Sequence, residues 1–64
     1  MPLVTVEWLA GRSVEQKQAL AAEITASVSG IGQVGAADVW VIFKDIGRSD
    51  WAVGGELVTK APMP

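Results

Sequence analysis

The segment Val39 to Ile46, VWVIFKDI, constrains the fold of this chain more than any other stretch. It is rich in β-branched and aromatic residues, and successive side chains of a strand point to opposite faces of its sheet. Val39, Val41 and Phe43 therefore share one face, and Trp40, Ile42 and Ile46 share the other. Both faces are apolar, so both call for cover. One helix can shield one face of a small sheet. In a chain of 64 residues the second face is most simply covered by another copy of the same chain.

Size leads to the same expectation. A chain this short buries too small a fraction of its surface to be comfortably stable alone, and the usual remedies are disulfides, a structural metal or oligomerisation. The sequence has no Cys and no His, which excludes the first and removes the ordinary ligands of the second. Half of the residues are hydrophobic and only 19% are charged, more apolar surface than a monomer of this length can hide. No apolar run approaches the roughly 18 residues of a membrane span. Net charge is −2, with Arg12, Lys17, Lys44, Arg48 and Lys60 scattered, so no basic footprint for nucleic acid is present. The N-terminus lacks the basic and apolar regions of a signal peptide and nothing demands an oxidising compartment, so a cytoplasmic location is expected.

Local patterns outline the remaining elements. From Leu3 to Leu9, Val4, Val6 and Trp8 alternate with Thr5 and Glu7, the period of a strand. Ala10-Gly11-Arg12 turns the chain, and Ser13 with Gln16 forms a capping box that starts a helix at Val14. Leu20, Ile24 and Val28, with Ala21 beside them, make one apolar stripe, while Glu15, Gln18 and Thr25 point elsewhere. Gly30 is expected to close the helix near Ser29, with Gly32 and Gly35 keeping the chain irregular until Asp38. Strand, helix and strand make a βαβ unit with parallel strands and a right-handed crossover. After a loop at Gly47-Arg48-Ser49-Asp50, Trp51-Ala52-Val53 and Glu56-Leu57-Val58 flank Gly54-Gly55 as a hairpin that reaches a neighbouring subunit. The tail Ala61-Pro62-Met63-Pro64 carries nothing that would order it. The expected class is thus α+β: a short β-α-β subunit with parallel strands and a C-terminal β-hairpin, one domain over residues 1–64, assembled as an oligomer.

Without His or Cys the chain has no Ser-His-Asp or Cys-His arrangement. Gly54-Gly55-Glu56 lacks the Lys-Ser or Lys-Thr pair and ensuing helix of a phosphate loop, and it does not fit a dinucleotide fingerprint. Cofactor-free chemistry, or none, is left. Pro2 is the unusual feature. Removal of Met1, favoured by a small second residue, would expose a secondary amine. An α-amino group titrates near 7.7 to 8.0, and desolvation with nearby cations lowers that value, leaving a neutral base at physiological pH. In an arbitrary protein a second-position proline more often just begins an edge strand.

Met1-Pro2, then Gly11-Arg12-Ser13 with Glu15-Gln16-Lys17, and later Val53-Gly54-Gly55-Glu56-Leu57 with Lys60, stand together at the spacing of one family. Along nearly its whole length, without a gap, the chain resembles the 4-oxalocrotonate tautomerase (2-hydroxymuconate tautomerase) family. The resemblance implies β-α-β subunits assembled as hexamers, with the amino-terminal proline in a mostly hydrophobic pocket. It implies a keto-enol tautomerase, an isomerase acting on small unsaturated 2-oxo and 2-hydroxy acids with no metal or organic cofactor. Pro2 would be general base and then acid, and Arg12 would bind the substrate's distal carboxylate, for which its planar fork is suited. Trp51 stands where the family often has an aromatic wall, and Leu9 and Val53 are further candidates for the pocket lining. At Trp40 the family's best-studied members have a second arginine, supplied by a neighbouring subunit. Indole offers one N–H and no charge, so this departure points away from 2-hydroxymuconate and toward an apolar slot for an aromatic enol such as phenylenolpyruvate. Arg48 could enter the same region, although a loop arginine is also accounted for by solvation alone. Two alternatives follow from the resemblance. One is a dehalogenase, hydratase or decarboxylase of the superfamily, which needs a carboxylate near the proline, with Glu7 and Asp50 as candidates. The other is a non-catalytic subunit of a hetero-oligomer whose partner supplies the missing arginine.

Overall fold

The computed structural model describes residues 1–59; Lys60 and the tail Ala61-Pro62-Met63-Pro64 lie outside them. Strand β1 spans Leu3–Leu9 and pairs in parallel with strand β2, Trp40–Ile46, from Leu3↔Trp40 to Leu9↔Ile46. Helix α1, Val14–Gly32, makes the crossover between them. Single 3₁₀ turns at Ala36–Asp38 and Arg48–Asp50 lead into and out of β2. Strands β3, Ala52–Val53, and β4, Glu56–Leu57, form a separate antiparallel pair.

The start of α1 follows the local sequence. Ser13 accepts from the Gln16 backbone N–H at 3.1 Å, and the Gln16 side chain accepts from the Ser13 N–H at 2.9 Å. Its end does not. The helix runs through Gly30 to Gly32, and the left-handed residue that terminates it is Gln33, with φ 56° and ψ 48°. Ser29 explains the difference, because it holds the exit at both ends: its carbonyl accepts from the Val34 N–H at 3.3 Å and its hydroxyl donates to the Val34 carbonyl at 2.6 Å. That local closure outweighs the roughly 1 kcal/mol or more of strain in a non-glycine left-handed residue. Thr25, expected to point away, lies half-buried beside Ile24. Strand β2 begins at Trp40, one residue later than expected, because the Val39 N–H still donates to Ala36 in the preceding turn at 3.2 Å.

Gly54 and Gly55 have φ of 60° and 87°, the pair of positive values that a two-residue type I′ hairpin turn requires. Val58 N–H donates to the Trp51 carbonyl at 3.0 Å and extends the hairpin ladder by one step.

The parallel sheet is covered on one side only. Val4, Val6, Trp8, Val41 and Phe43 are half-buried on one face of the sheet, and Leu20, Ala21, Ile24 and Val28 are half-buried along α1, which packs on β2. On the opposite face Leu3, Trp40 and Ile42 stay 57%, 54% and 42% exposed. None of the described residues is fully buried. The Cα radius of gyration is 14.6 Å, against about 10.7 Å for a compact chain of this length. The subunit is an open layer with half a core, and the second apolar face read from β2 is the uncovered half.

Candidate active site

The structure distributes the candidate residues over the two ends of the sheet. Pro2 and Trp40 lie together at one end, where the Trp40 N–H donates to the Pro2 carbonyl at 2.9 Å. Pro2 is half-buried, whereas Met1 is 81% exposed. In this Met1-bearing chain the Pro2 nitrogen is an amide, without the basic lone pair of an amine.

Arg12, Arg48 and Trp51 lie toward the other end, separated from Pro2 by the length of β1, roughly 20 Å at about 3.3 Å per residue. Arg12 follows Gly11, whose φ of 136° is a conformation open to glycine, and so turns back over the strand. Its guanidinium carbon sits 4.7 Å above the centre of the Trp8 ring, and its Nη1 donates to the Leu9 carbonyl at 2.9 Å. Among the described residues its Nε–H and Nη2–H groups have no hydrogen-bond partner. That edge can accept a planar carboxylate through two parallel bonds.

Arg48 is tied to the hairpin, its Nη1 donating to the Val58 carbonyl at 3.2 Å. Trp51 is half-buried and, with Glu7, Ile46, Asp50 and Ala52, lines an open depression of about 300 Å³. The two carboxylates considered as alternatives, Glu7 and Asp50, thus face one hollow with Trp51. Leu9, the last residue of β1, is half-buried, and Val53 is 65% exposed on the hairpin; both lie outside that lining.

Sequence reasoning did not single out the cluster around Trp8. The Trp8 ring stacks on Phe43 at 5.4 Å between centroids and 22° between planes. Its Nε1 donates to Asp45 Oδ1 at 2.7 Å, and Lys17 on α1 pairs with Asp45 Oδ2. The Lys17 bond first, then the Trp8 bond, hold the Asp45 carboxyl below its ordinary pKa of 3.8. The only sequence signal was a tryptophan four residues before Arg12. Its link to Asp45 depends on the β1–β2 register, in which Trp8 stands opposite Asp45.

The chain is thus a small β-α-β subunit with an open sheet face and an arginine turned back at the end of its first strand. A family model described as Tautomerase enzyme matches residues 2–61, and the chain belongs to that family. A probable tautomerase of Ralstonia nicotianae is 42% identical over 62 residues, covering 97% of this chain and 95% of its own. A probable tautomerase of Bacillus cereus is 41% identical over 56 residues, covering 88% and 92%. The crystal structure of a 4-oxalocrotonate tautomerase homologue matches with a TM-score of 0.89 at 30% identity, over 98% of this chain and 100% of that one. A heterohexamer 4-oxalocrotonate tautomerase from Chloroflexus aurantiacus matches with a TM-score of 0.86 at 32% identity, over 97% and 100%. Among the described residues no helix is long and apolar enough to cross a membrane.

Proposed function

We propose that this chain is a cofactor-independent tautomerase that interconverts enol and keto forms of small unsaturated 2-oxo acids, working as an oligomer in the cytoplasm. Once Met1 is removed, the Pro2 amine takes the proton from the 2-hydroxyl of the enol. The oxygen's electron pair forms the C=O bond, the carbon–carbon π pair shifts onto carbon, and the prolinium returns the same proton there. Arg12 holds a carboxylate of the substrate, the one distal to the reacting enol where the acid has two, and Trp51 is an apolar wall that limits hydration of the amine and keeps it neutral. Arg48, tied to the hairpin, supports the loop that carries Trp51.

The observation that carries this reading is the unpartnered Nε and Nη2 edge of Arg12, in a chain whose family membership spans residues 2–61. Because Pro2 and Arg12 stand at opposite ends of β1, the working site draws them from different copies. A neighbouring copy brings its Arg12 and Trp51 toward Pro2, and copies of the same assembly cover the Leu3–Trp40–Ile42 face. A homohexamer is the proposed assembly. The Chloroflexus heterohexamer keeps a mixed assembly as the alternative.

Trp40 beside Pro2 favours an enol with an apolar or aromatic substituent, such as phenylenolpyruvate, over 2-hydroxymuconate. The test uses protein whose intact mass lacks one methionine. Turnover of phenylenolpyruvate exceeding that of 2-hydroxymuconate, and abolished by Pro2→Ala, supports the reading; a fully active Pro2→Ala protein refutes it. A second reading, hydration or dehalogenation assisted by a carboxylate, is favoured by Glu7 and Asp50 sharing a hollow with Trp51. Halide release from 3-haloacrylates distinguishes it.

A further inference from the structure

Arginine has a long side chain with many rotamers, and holding it in one geometry costs conformational entropy. Arg12 emerges from a glycine-containing turn, where its own backbone imposes little order on the side chain. Its order has to come from neighbours, and the neighbours form a connected set. The guanidinium lies 4.7 Å over the Trp8 ring. That ring stacks on Phe43 and is fixed about its own axis by the 2.7 Å bond from Nε1 to Asp45. Asp45 is in turn paired with Lys17 from the opposite layer. Residues of β1, β2 and α1 thus converge beneath one arginine.

The arrangement also settles which partner Arg12 does not take. Asp45 is the nearby carboxylate that could capture the guanidinium in an internal ion pair. Its two oxygens are instead engaged by Trp8 and Lys17. Arg12 spends one Nη1 bond on the Leu9 carbonyl and keeps its Nε and Nη2 edge open.

We infer that Trp8 is a positioning residue for Arg12, a flat platform that fixes the guanidinium plane while Asp45 and Lys17 fix the platform. Together they preorganise Arg12 as a receptor for a substrate carboxylate, the second one where a 2-oxo acid has two. This inference rests on the carboxylate-binding role proposed above for Arg12. A cation over an indole face adds attraction and removes rotamers the side chain would otherwise lose on binding.

Two probes whose equilibrium lies on the keto side, so that no net conversion occurs, separate this from a structural role: 2-oxohexanedioate, which carries the second carboxylate, and 2-oxohexanoate, which lacks it. Both are titrated into the assembled protein by NMR. The wild-type chain binds the diacid about tenfold tighter or better, as expected for a charge-assisted bidentate contact. Arg12→Ala removes that preference. Trp8→Leu reduces it about fivefold, as expected for loss of a cation–π platform, and has no further effect in the Arg12→Ala background. Trp8→Phe, which keeps an aromatic face, retains most of it. The Arg12 δ-protons are displaced upfield by the indole ring current in wild type and in Trp8→Phe protein by a phenyl ring, but not in Trp8→Leu. A folded Trp8→Leu protein with an undiminished preference overturns the positioning role. Absence of the upfield displacement in wild type overturns it as well, without relying on any variant. A wild-type preference that survives Arg12→Ala overturns the carboxylate role of Arg12 and this inference with it.

Discussion

Replacing Ile42 tests whether the uncovered face of the sheet is where copies meet. Ile42 sits on that face opposite Thr5, with Leu3 and Trp40 next to them in the paired strands. It is 42% exposed in the isolated chain, and its side chain points away from α1. Fully burying an isoleucine side chain is worth about 2.5 kcal/mol, so covering the exposed share contributes roughly 1 kcal/mol per chain. In a two-fold contact the residue counts twice, giving about 2 kcal/mol, or a roughly 30-fold weaker association for Ile42→Ala. Ile42→Glu would bury an unpaired carboxylate at several kcal/mol per copy and should abolish the contact. Sedimentation equilibrium over a dilution series reads the dissociation constant, with circular dichroism to verify folding and Gln18→Ala, on the exposed side of α1, as control. If the site closes between copies, turnover falls in step with assembly. An Ile42→Glu protein that assembles as wild type does, or an Ile42→Ala constant within about threefold of wild type, refutes the assignment of this face.

Gly30→Ala should stabilise the protein by about 0.5–1 kcal/mol in chemical denaturation, because Gly30 lies inside α1 with nothing within 4 Å of an added Cβ. If Gly30 were the left-handed terminator, the same change would destabilise. Asp45 has a lowered pKa in the folded chain, so its contribution to stability is present above its ordinary 3.8 and is lost as pH falls through the lower folded value. An acid titration of stability should therefore be shallower in Asp45→Asn, and the difference should shrink in high salt because the pair is solvent-accessible. Trp40→Arg should raise the ratio of kcat/KM for 2-hydroxymuconate over phenylenolpyruvate by about 10- to 100-fold, the worth of one charge-assisted contact to developing oxyanion charge. An unchanged ratio removes Trp40 from the pocket.

Features that depend on neighbouring residues were legible in the sequence. The bounds of β1, the Ser13–Gln16 capping box and the Gly54-Gly55 turn are each set within a few residues, and the structure has them where the sequence places them. The end of α1 was not legible. A glycine rule chooses Gly30, while the actual exit depends on two bonds between Ser29 and Val34 that no propensity describes. The surroundings of Arg12 escaped for a related reason. The arginine itself stands out beside Gly11, but its platform needs the strand register that sets Trp8 across from Asp45 and the crossover that brings Lys17 over both.

The open sheet face and the divided site have the same geometric origin. A βαβ crossover spends its single helix on one face, and it returns β2 parallel to β1, so the start of β1 lies beside the start of β2. Pro2 is thereby placed next to Trp40, while everything that follows the strands, Arg12 after β1 and Trp51 after β2, is carried to the far end. No rearrangement within one chain can shorten that separation without breaking the sheet. A second copy running in the opposite strand direction sets its own far end toward the first copy's Pro2, and copies packed over the open face cover Leu3, Trp40 and Ile42. Under the proposed function, the exposed apolar residues of the subunit favour assembly, and assembly supplies Pro2 with the Arg12 of another copy.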